Sequence, residues 1–336
     1  MAGTGFVSSP NLANWIPFRI RAANTEHRAD WCYVGSEAFT DPFFEQTIAR
    51  CLKKPFNQFV ARETPIDALL DWGSPEPGIA PTAFIFHGSR CGSTLLARMA
   101  AALPGNIVIS EAATVDHVLR ARVPQDTRIE WFRALLDVLG QPRRGGERRL
   151  FVKFDASHML ELDLVQRAFP GVPCIFLYRE PAAVIASQLR SPGVHMVPGM
   201  LDMASAEMSL PDILRLEGDE YAGRVLGAFY AAASSHAAVG RVTLLNYAQF
   251  PEAGVTQVLA WCGLADSAEA RRRVERASEF DAKSPSMRYN TANGPARTLP
   301  NQRARDVAAQ FVAPIYAQLE SIRTGTGRLV APSSAD

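Results

Sequence analysis

Apolar residues in this chain gather into short unbroken runs, separated by longer stretches in which they recur every three or four positions. Phe84-Ile85-Phe86, Ile107-Val108-Ile109, Leu150-Phe151-Val152 and Cys174-Ile175-Phe176-Leu177 are too short for helices and have the composition of strands buried on both faces. Helical spacing follows them: Leu95, Leu96, Met99 and Leu103 after the first, then Thr114–Arg120 with Ile129–Leu139, then Met159 to Phe169, then Val184, Ile185 and Leu189. A further strand is predicted at Val242–Tyr247. Helices are predicted at Tyr221–Ala238, Val255–Cys262, Glu269–Ala277 and Arg303–Arg323. Strands alternating with helices, over connections long enough for crossovers, predict an α/β fold: a three-layer α/β/α arrangement around a central parallel sheet.

The flanking segments differ in pattern. Residues 1–81 read as an N-terminal extension packed on the main domain. Trp15, Ile16, Phe18 and Ile20 alternate with polar positions in strand fashion, Phe43-Phe44 with Ile48 and Leu52 form one face of a helix, and a short helix runs from Ile66 to Trp72. The aromatic residues here read as a packing surface. Ser74-Pro75-Glu76-Pro77-Gly78 is a linker, which sets the main domain at 82–324 and leaves a Gly/Ser/Pro tail at 325–336 that is expected to be disordered. Residues 191–208, rich in Pro, Gly and Met, have the character of a lid, and 280–302, with Lys283, Arg288 and Arg297, has no clean periodicity.

Composition narrows the function classes. The 336 residues carry 35 basic and 34 acidic side chains, a net charge of +1, which excludes bulk attraction to nucleic acid or to an anionic membrane surface. Five cysteines, odd in number and without a CxxC pair, point to reduced thiols and hence to a cytoplasmic protein. The first ten residues lack a signal-peptide pattern, and no stretch reaches membrane-spanning length.

Candidate chemistry begins at His87-Gly88-Ser89-Arg90-Cys91-Gly92-Ser93-Thr94, between the first apolar strand and its helix. The first N–H groups of a helix lack intrahelical partners and the helix dipole adds positive potential there, so such a turn suits an anion. Gly88 and Gly92 allow close backbone approach, Arg90 supplies a fixed charge, and Ser93 and Thr94 supply hydroxyl donors. A nucleoside triphosphate loop would carry Lys where Gly92 stands. Cys91 needs only to be small, and His87 to pack or to bond backbone.

Three more features follow in order. Glu111 ends the next strand and is a candidate base; its other reading is a cap or ion pair for the following helix. Lys153 and His158 lie in Val152-Lys153-Phe154-Asp155-Ala156-Ser157-His158. Arg179 ends the Cys174–Tyr178 strand, Glu180-Pro181 opens a helix, and Ser187 lies eight positions past Arg179, so that a guanidinium, a hydroxyl and a helix end can converge on one phosphate.

Together these residues resemble the sulfotransferase superfamily, in particular its bacterial and tyrosylprotein-type branches, over about residues 82–250. The resemblance implies a P-loop NTPase-like fold and a PAPS-dependent enzyme, PAPS being 3′-phosphoadenosine 5′-phosphosulfate. Gly88, Ser89, Arg90, Cys91, Gly92, Ser93 and Thr94 would take the 5′-phosphosulfate, and Arg179 and Ser187 the 3′-phosphate. Arg90 and Lys153 would stabilise charge, no metal would be required, and the acceptor would be a small molecule or peptide offering a hydroxyl or an amine. For the base, the tyrosylprotein branch uses a glutamate at the position Glu111 matches, whereas the small-molecule branch uses a histidine near the place of His158. Geometry at the strand end favours Glu111. A P-loop kinase and a nucleotide-binding module without turnover are the rival readings. His195, in the lid, is a weaker contact candidate.

Overall fold

The computed structural model describes residues 11–23, 26–72, 76–199, 209–280 and 299–325. In chain order its elements begin with β1 (Trp15–Ala23), β2 (Glu26–Tyr33), α1 (Phe44–Leu52), α2 (Pro55–Phe59) and β3 (Arg62–Pro65). There follow β4 (Pro81–His87), α3 (Ser93–Ala101), β5 (Asn106–Ser110), α4 (Ala113–Leu119), α5 (Gln125–Leu139), β6 (Arg149–Lys153), α6 (Leu162–Ala168), β7 (Cys174–Tyr178) and α7 (Pro181–Arg190). The last are α8 (Leu210–Ile213), α9 (Gly218–Ala238), β8 (Thr243–Asn246), α10 (Glu252–Cys262), α11 (Ala268–Ser278), α12 (Gln302–Phe311) and α13 (Ala313–Thr324).

The fold is α/β, with a central five-stranded parallel sheet of order β5-β6-β4-β7-β8 flanked by helices. The four apolar runs are β4, β5, β6 and β7, and Phe84, Ile85, Phe86, Phe176 and Leu177 are all buried to 1% exposure or less. Non-consecutive strands lie side by side because parallel neighbours need crossovers, which the helices supply.

The chain forms two compact units. The first comprises Met1–Thr82, Ala100–Lys153 and Asp163–Val172. Within it β1, β2 and β3 make an antiparallel sheet, with Ile16 opposite Cys32 and Ala29 opposite Thr64. Only the first of these strands was expected. β2 hides from a hydrophobicity reading because its polar residues pair with one another: Asp30 accepts from Arg19 at 2.6 Å and from Arg21 at 2.8 Å, although it is only 8% exposed. The expected helix from Ile66 to Trp72 is a 3₁₀ turn, Ile66–Leu69. α5 lines the core with Phe132, Leu135, Leu136 and Leu139, and β5 pairs with β6 so that Ser110 lies opposite Lys153.

The second unit comprises Ala83–Met99, Phe154–Leu162 and the chain from Pro173 onward. Phe86 stacks on Phe154 with ring centroids 4.4 Å apart, and Phe176 meets Tyr230 edge to face at 5.9 Å. The single helix expected over Arg303–Arg323 is two, because Pro314 enters at the first turn of α13 and cannot continue the ladder of α12. The Ser74-Pro75 start of the expected linker, the lid beyond Gly199 as far as residue 208, Lys283, Arg288 and Arg297, and the tail beyond Gly325 lie outside the described residues.

Candidate active site

In the second unit, β4 delivers the chain to the glycine turn. Gly88 N–H donates to the Leu177 carbonyl at 2.8 Å, and Ser89 N–H donates to His87 Nδ1 at 3.0 Å, so His87 fixes the turn through backbone. Ser89 and Arg90 have φ of 65° and 50°, and Gly92 has 88°. Side-chain-bearing residues pay for this region of backbone space, and such residues concentrate at sites where the chain must bend around something. A Cβ at Gly88 would lie 2.3 Å from the Tyr230 ring, and one at Gly92 would lie 2.9 Å from the Tyr247 ring. The two aromatic rings therefore form the packing under the turn. Cys91 is buried and its thiol donates to the Leu177 carbonyl at 3.2 Å, a packing role that asks for a small side chain. Ser93 and Thr94, 6% and 8% exposed, open α3.

The second strand end meets this turn. Arg179 Nη1 lies 3.5 Å from the Arg90 carbonyl oxygen, and its guanidinium sits over the Tyr247 ring, 4.8 Å from the centroid. Tyr230 holds the backbone of Arg179 from both sides, its hydroxyl donating to the Arg179 carbonyl at 2.6 Å and accepting from the Arg179 N–H at 3.2 Å. Ser187 lies on α7 and is 5% exposed. The start of α7 differs from expectation, because the Glu180 carboxylate accepts from Ala182 N–H at 2.9 Å and Ala183 N–H at 2.8 Å. Those helix donors are therefore occupied by the protein's own carboxylate, and a phosphate here would be met by Arg179 and Ser187.

The turn is also tied to the segment after α7. Gln188 Nε2 donates to Ser89 Oγ at 2.7 Å while its Oε1 accepts from Gly193 N–H at 2.9 Å, and Arg90 Nη2 donates to the Ser191 carbonyl at 2.5 Å. Beyond lies a further pair, the buried His195 with its Nδ1 at 3.6 Å from Oδ2 of the half-buried Asp155. Burial works to raise the Asp155 carboxyl, but His195, His158 and the Ser157 N–H outweigh it and hold the group well below the usual carboxylate range, although 31% of its side chain stays open to solvent. His158 is 1% exposed and its Nδ1 accepts from Asp155 N–H at 3.3 Å.

In the first unit, Glu111 follows β5 with φ of 52°, its N–H donating to the Lys153 carbonyl at 2.7 Å. Lys153 Nζ meets Glu111 Oε1 at 2.5 Å and lies 5.0 Å from the centroid of the Phe43 ring. The lysine side chain is fully buried, the glutamate 23% exposed. Glu111 thus forms an ion pair with a buried strand lysine. Glu45, from α1, accepts from Ala113 N–H at 2.8 Å. Packing around its carboxyl pushes Glu45 up although the residue as a whole is exposed, the backbone hydrogen bonds from Ala113 and Glu45 itself oppose this, and Glu111 adds to it.

Tyr230, Tyr247, Gln188 and Glu45 were not singled out from sequence. Tyr247 directly follows β8, where the strand-end rule that found Arg179 applies equally. Tyr230 reads as core on the long helix α9, and Glu45 as a solvated charge. Two cavities, of about 360 Å³ and about 670 Å³, lie in the first unit, and neither is lined by any candidate site residue. Among the described residues no cluster of three or more His, Cys, Asp or Glu can hold a metal ion, and no helix is long and apolar enough to cross a membrane.

No family model and no curated protein matches the sequence. Solved structures that resemble the chain include the three that follow. All three are sulfotransferases. The sulfotransferase domain from the curacin biosynthetic pathway is 14% identical with a TM-score of 0.41, the match covering 77% of this chain and 100% of that one. The sulfotransferase domain of the Synechococcus PCC 7002 olefin synthase is 18% identical with a TM-score of 0.39, covering 71% and 96%. A Mycobacterium tuberculosis sulfotransferase is 15% identical with a TM-score of 0.41, covering 79% and 82%.

Proposed function

We propose that this protein is a sulfotransferase that uses 3′-phosphoadenosine 5′-phosphosulfate to modify a hydroxyl, or an amine, of a small-molecule or peptide acceptor. The observation that carries the reading is the Arg179 guanidinium lying 3.5 Å from the backbone of the glycine turn. Two cationic side chains, the hydroxyls of Ser93, Thr94 and Ser187, and a turn with no room for Cβ at Gly88 or Gly92 make a donor set that fits a ligand anionic at both ends. Gly92 in place of a loop lysine disfavours the kinase reading.

When bound, the cofactor supplies an activated sulfuryl group whose transfer proceeds through a loose in-line transition state. The chain's own work is to bind and position both anionic ends, to stabilise charge on the leaving phosphate oxygen, and to accept the acceptor's proton. Arg179 and Ser187 take the 3′-phosphate; the turn from Gly88 to Thr94 takes the 5′ end. Arg90, anchored on Ser191, and Lys153 supply positive charge. Glu111 is the proton acceptor: its side chain keeps some exposure, whereas His158 is buried with Nδ1 already engaged.

Thermal shift with adenosine 3′,5′-bisphosphate, with ATP–Mg²⁺ and with neither tests the reading. The bisphosphate should stabilise the protein and ATP–Mg²⁺ should not; stabilisation by ATP–Mg²⁺ alone overturns it. Stabilisation by the bisphosphate with no sulfate transfer to a broad acceptor panel would make the protein a binding module instead.

A further inference from the structure

The last residues of β7 and β8, Tyr178 and Asn246, lie opposite each other in the sheet. One carboxylate reaches both. Glu320, half-buried on α13, accepts from the Tyr178 hydroxyl and, through the same Oε1, from Asn246 Nδ2 at 2.9 Å. Arg323 donates to that Oε1 from Nε at 3.1 Å and to Oε2 from Nη2 at 2.7 Å. Arg323 foremost, with Tyr178 and Asn246 and against partial burial, holds the Glu320 carboxyl down to about 2, so the group is charged at neutral pH. The residues that follow the clamped pair are Arg179 and Tyr247, the guanidinium and the ring it sits over. Tyr247 opens a 3₁₀ turn, Tyr247–Gln249, whose cap is Asn246: its Oδ1 accepts from Ala248 N–H at 2.9 Å and its N–H donates to Gln249 Oε1 at 3.0 Å. Asn246 thus uses its oxygen on the turn and its amide on Glu320.

We propose that Glu320 is a positioning residue for the 3′-phosphate site, fixing through Tyr178 and Asn246 the two strand ends that set Arg179 on Tyr247. The inference rests on the sulfotransferase reading and on the place of Arg179 in it. A guanidinium held by one long hydrogen bond and one ring takes its direction from that ring. The ring takes its direction from the capped turn, and the turn from Asn246. Removing the carboxylate leaves the Asn246 amide with the Tyr316 hydroxyl at 3.0 Å and takes the Glu320 oxygen from the hydroxyl of Tyr178, a residue with 0% exposure. A buried hydroxyl that loses its acceptor is costly, so the two strand ends should shift to find another. The fork of donors that a phosphate needs would move with them. The glycine turn has supports of its own in Leu177, His87 and Gln188, so the loss should fall on the 3′-phosphate and spare the 5′ end.

The test is calorimetric titration of the full-length protein and of Glu320→Ala with adenosine 3′,5′-bisphosphate and with adenosine 5′-monophosphate, which lacks only the 3′-phosphate. The wild type should prefer the bisphosphate, and Glu320→Ala should lower that preference roughly fivefold or more with the monophosphate affinity unchanged. Glu320→Gln keeps an acceptor oxygen for Tyr178 and Asn246 and should restore most of the preference. A preference that survives in Glu320→Ala, an equal loss for both nucleotides, or a Gln variant as impaired as the Ala variant overturns the positioning role and leaves the sulfotransferase reading standing. A wild type with no preference for the bisphosphate overturns that reading and this inference with it. Should Glu320→Ala fail to fold, Asn246→Ser decides: serine keeps an oxygen for Ala248 N–H but has no amide to offer Glu320, so the same selective loss is expected, and an unchanged preference overturns the proposal.

Discussion

The glycine turn with Arg179 and the Lys153–Glu111 pair are both built on strand ends, and they are held by different forces. Around the turn, position is set by neutral contacts: Tyr230 grips Arg179 by its backbone, Gln188 bridges Ser89 to Gly193, and aromatic rings fill the space beneath Gly88 and Gly92. The other site is held by charge, a fully buried ammonium against a carboxylate with a second carboxylate, Glu45, on the neighbouring backbone. A site fixed by packing is insensitive to pH and salt and intolerant of added volume. A site fixed by charge tolerates volume and responds to the loss of either partner.

The largest effect expected is from Gly88→Ala. The Tyr230 ring cannot retreat without releasing Arg179, so the substitution should cost about 3 kcal/mol in chemical denaturation and abolish bisphosphate binding. Near-native stability would mean that the packing under the turn is loose. Lys153→Met comes next. It removes the buried cation that faces Glu111, but that carboxylate can recover water through its 23% exposure, which holds the loss to about 2 kcal/mol in chemical denaturation. An unchanged stability would mean that the pair does not hold this strand end.

Arg179→Ala should weaken the bisphosphate by about tenfold or more in titration calorimetry while changing stability by less than about 1 kcal/mol, since its guanidinium makes one long hydrogen bond and one aromatic contact. Unchanged affinity would remove it from the phosphate site. The smallest effect is at Glu45. A carboxyl raised in the folded state contributes stability that is fully present below its unfolded value and lost as pH rises through the folded one, so its charged form works against folding at neutral pH. Glu45→Gln should therefore raise the melting temperature slightly at pH 7 and leave it unchanged in acid. A fall at pH 7 would mean that the Ala113 hydrogen bond needs the full negative charge.

Both strand ends were legible in the sequence because each is an apolar run cut off by a chemically distinct residue, Gly88 in one case and Arg179-Glu180-Pro181 in the other. Their meeting is a property of strand order, which places β4 beside β7, and the alternation of strands and helices gives only the class of sheet. Tyr230 and Tyr247 escaped notice because a tyrosine that supports a turn by packing has the same local pattern as one that fills a core. Strand β2 of the first unit escaped for the opposite reason: Asp30, Arg19 and Arg21 satisfy one another, so β2 carries charge where a strand signal would show alternating apolar residues. The Lys153–Glu111 contact joins residues 42 positions apart and has no local signature.

The left-handed backbone at Ser89, Arg90 and Glu111 carries a consequence for engineering. Each places a side chain on a conformation that glycine adopts without strain, at a cost of order 1 kcal/mol per residue. A laboratory population selected only for heat tolerance would be drawn toward glycine at Arg90 and would discard the turn's charge in the process. Robustness and chemistry thus pull in opposite directions at that one codon.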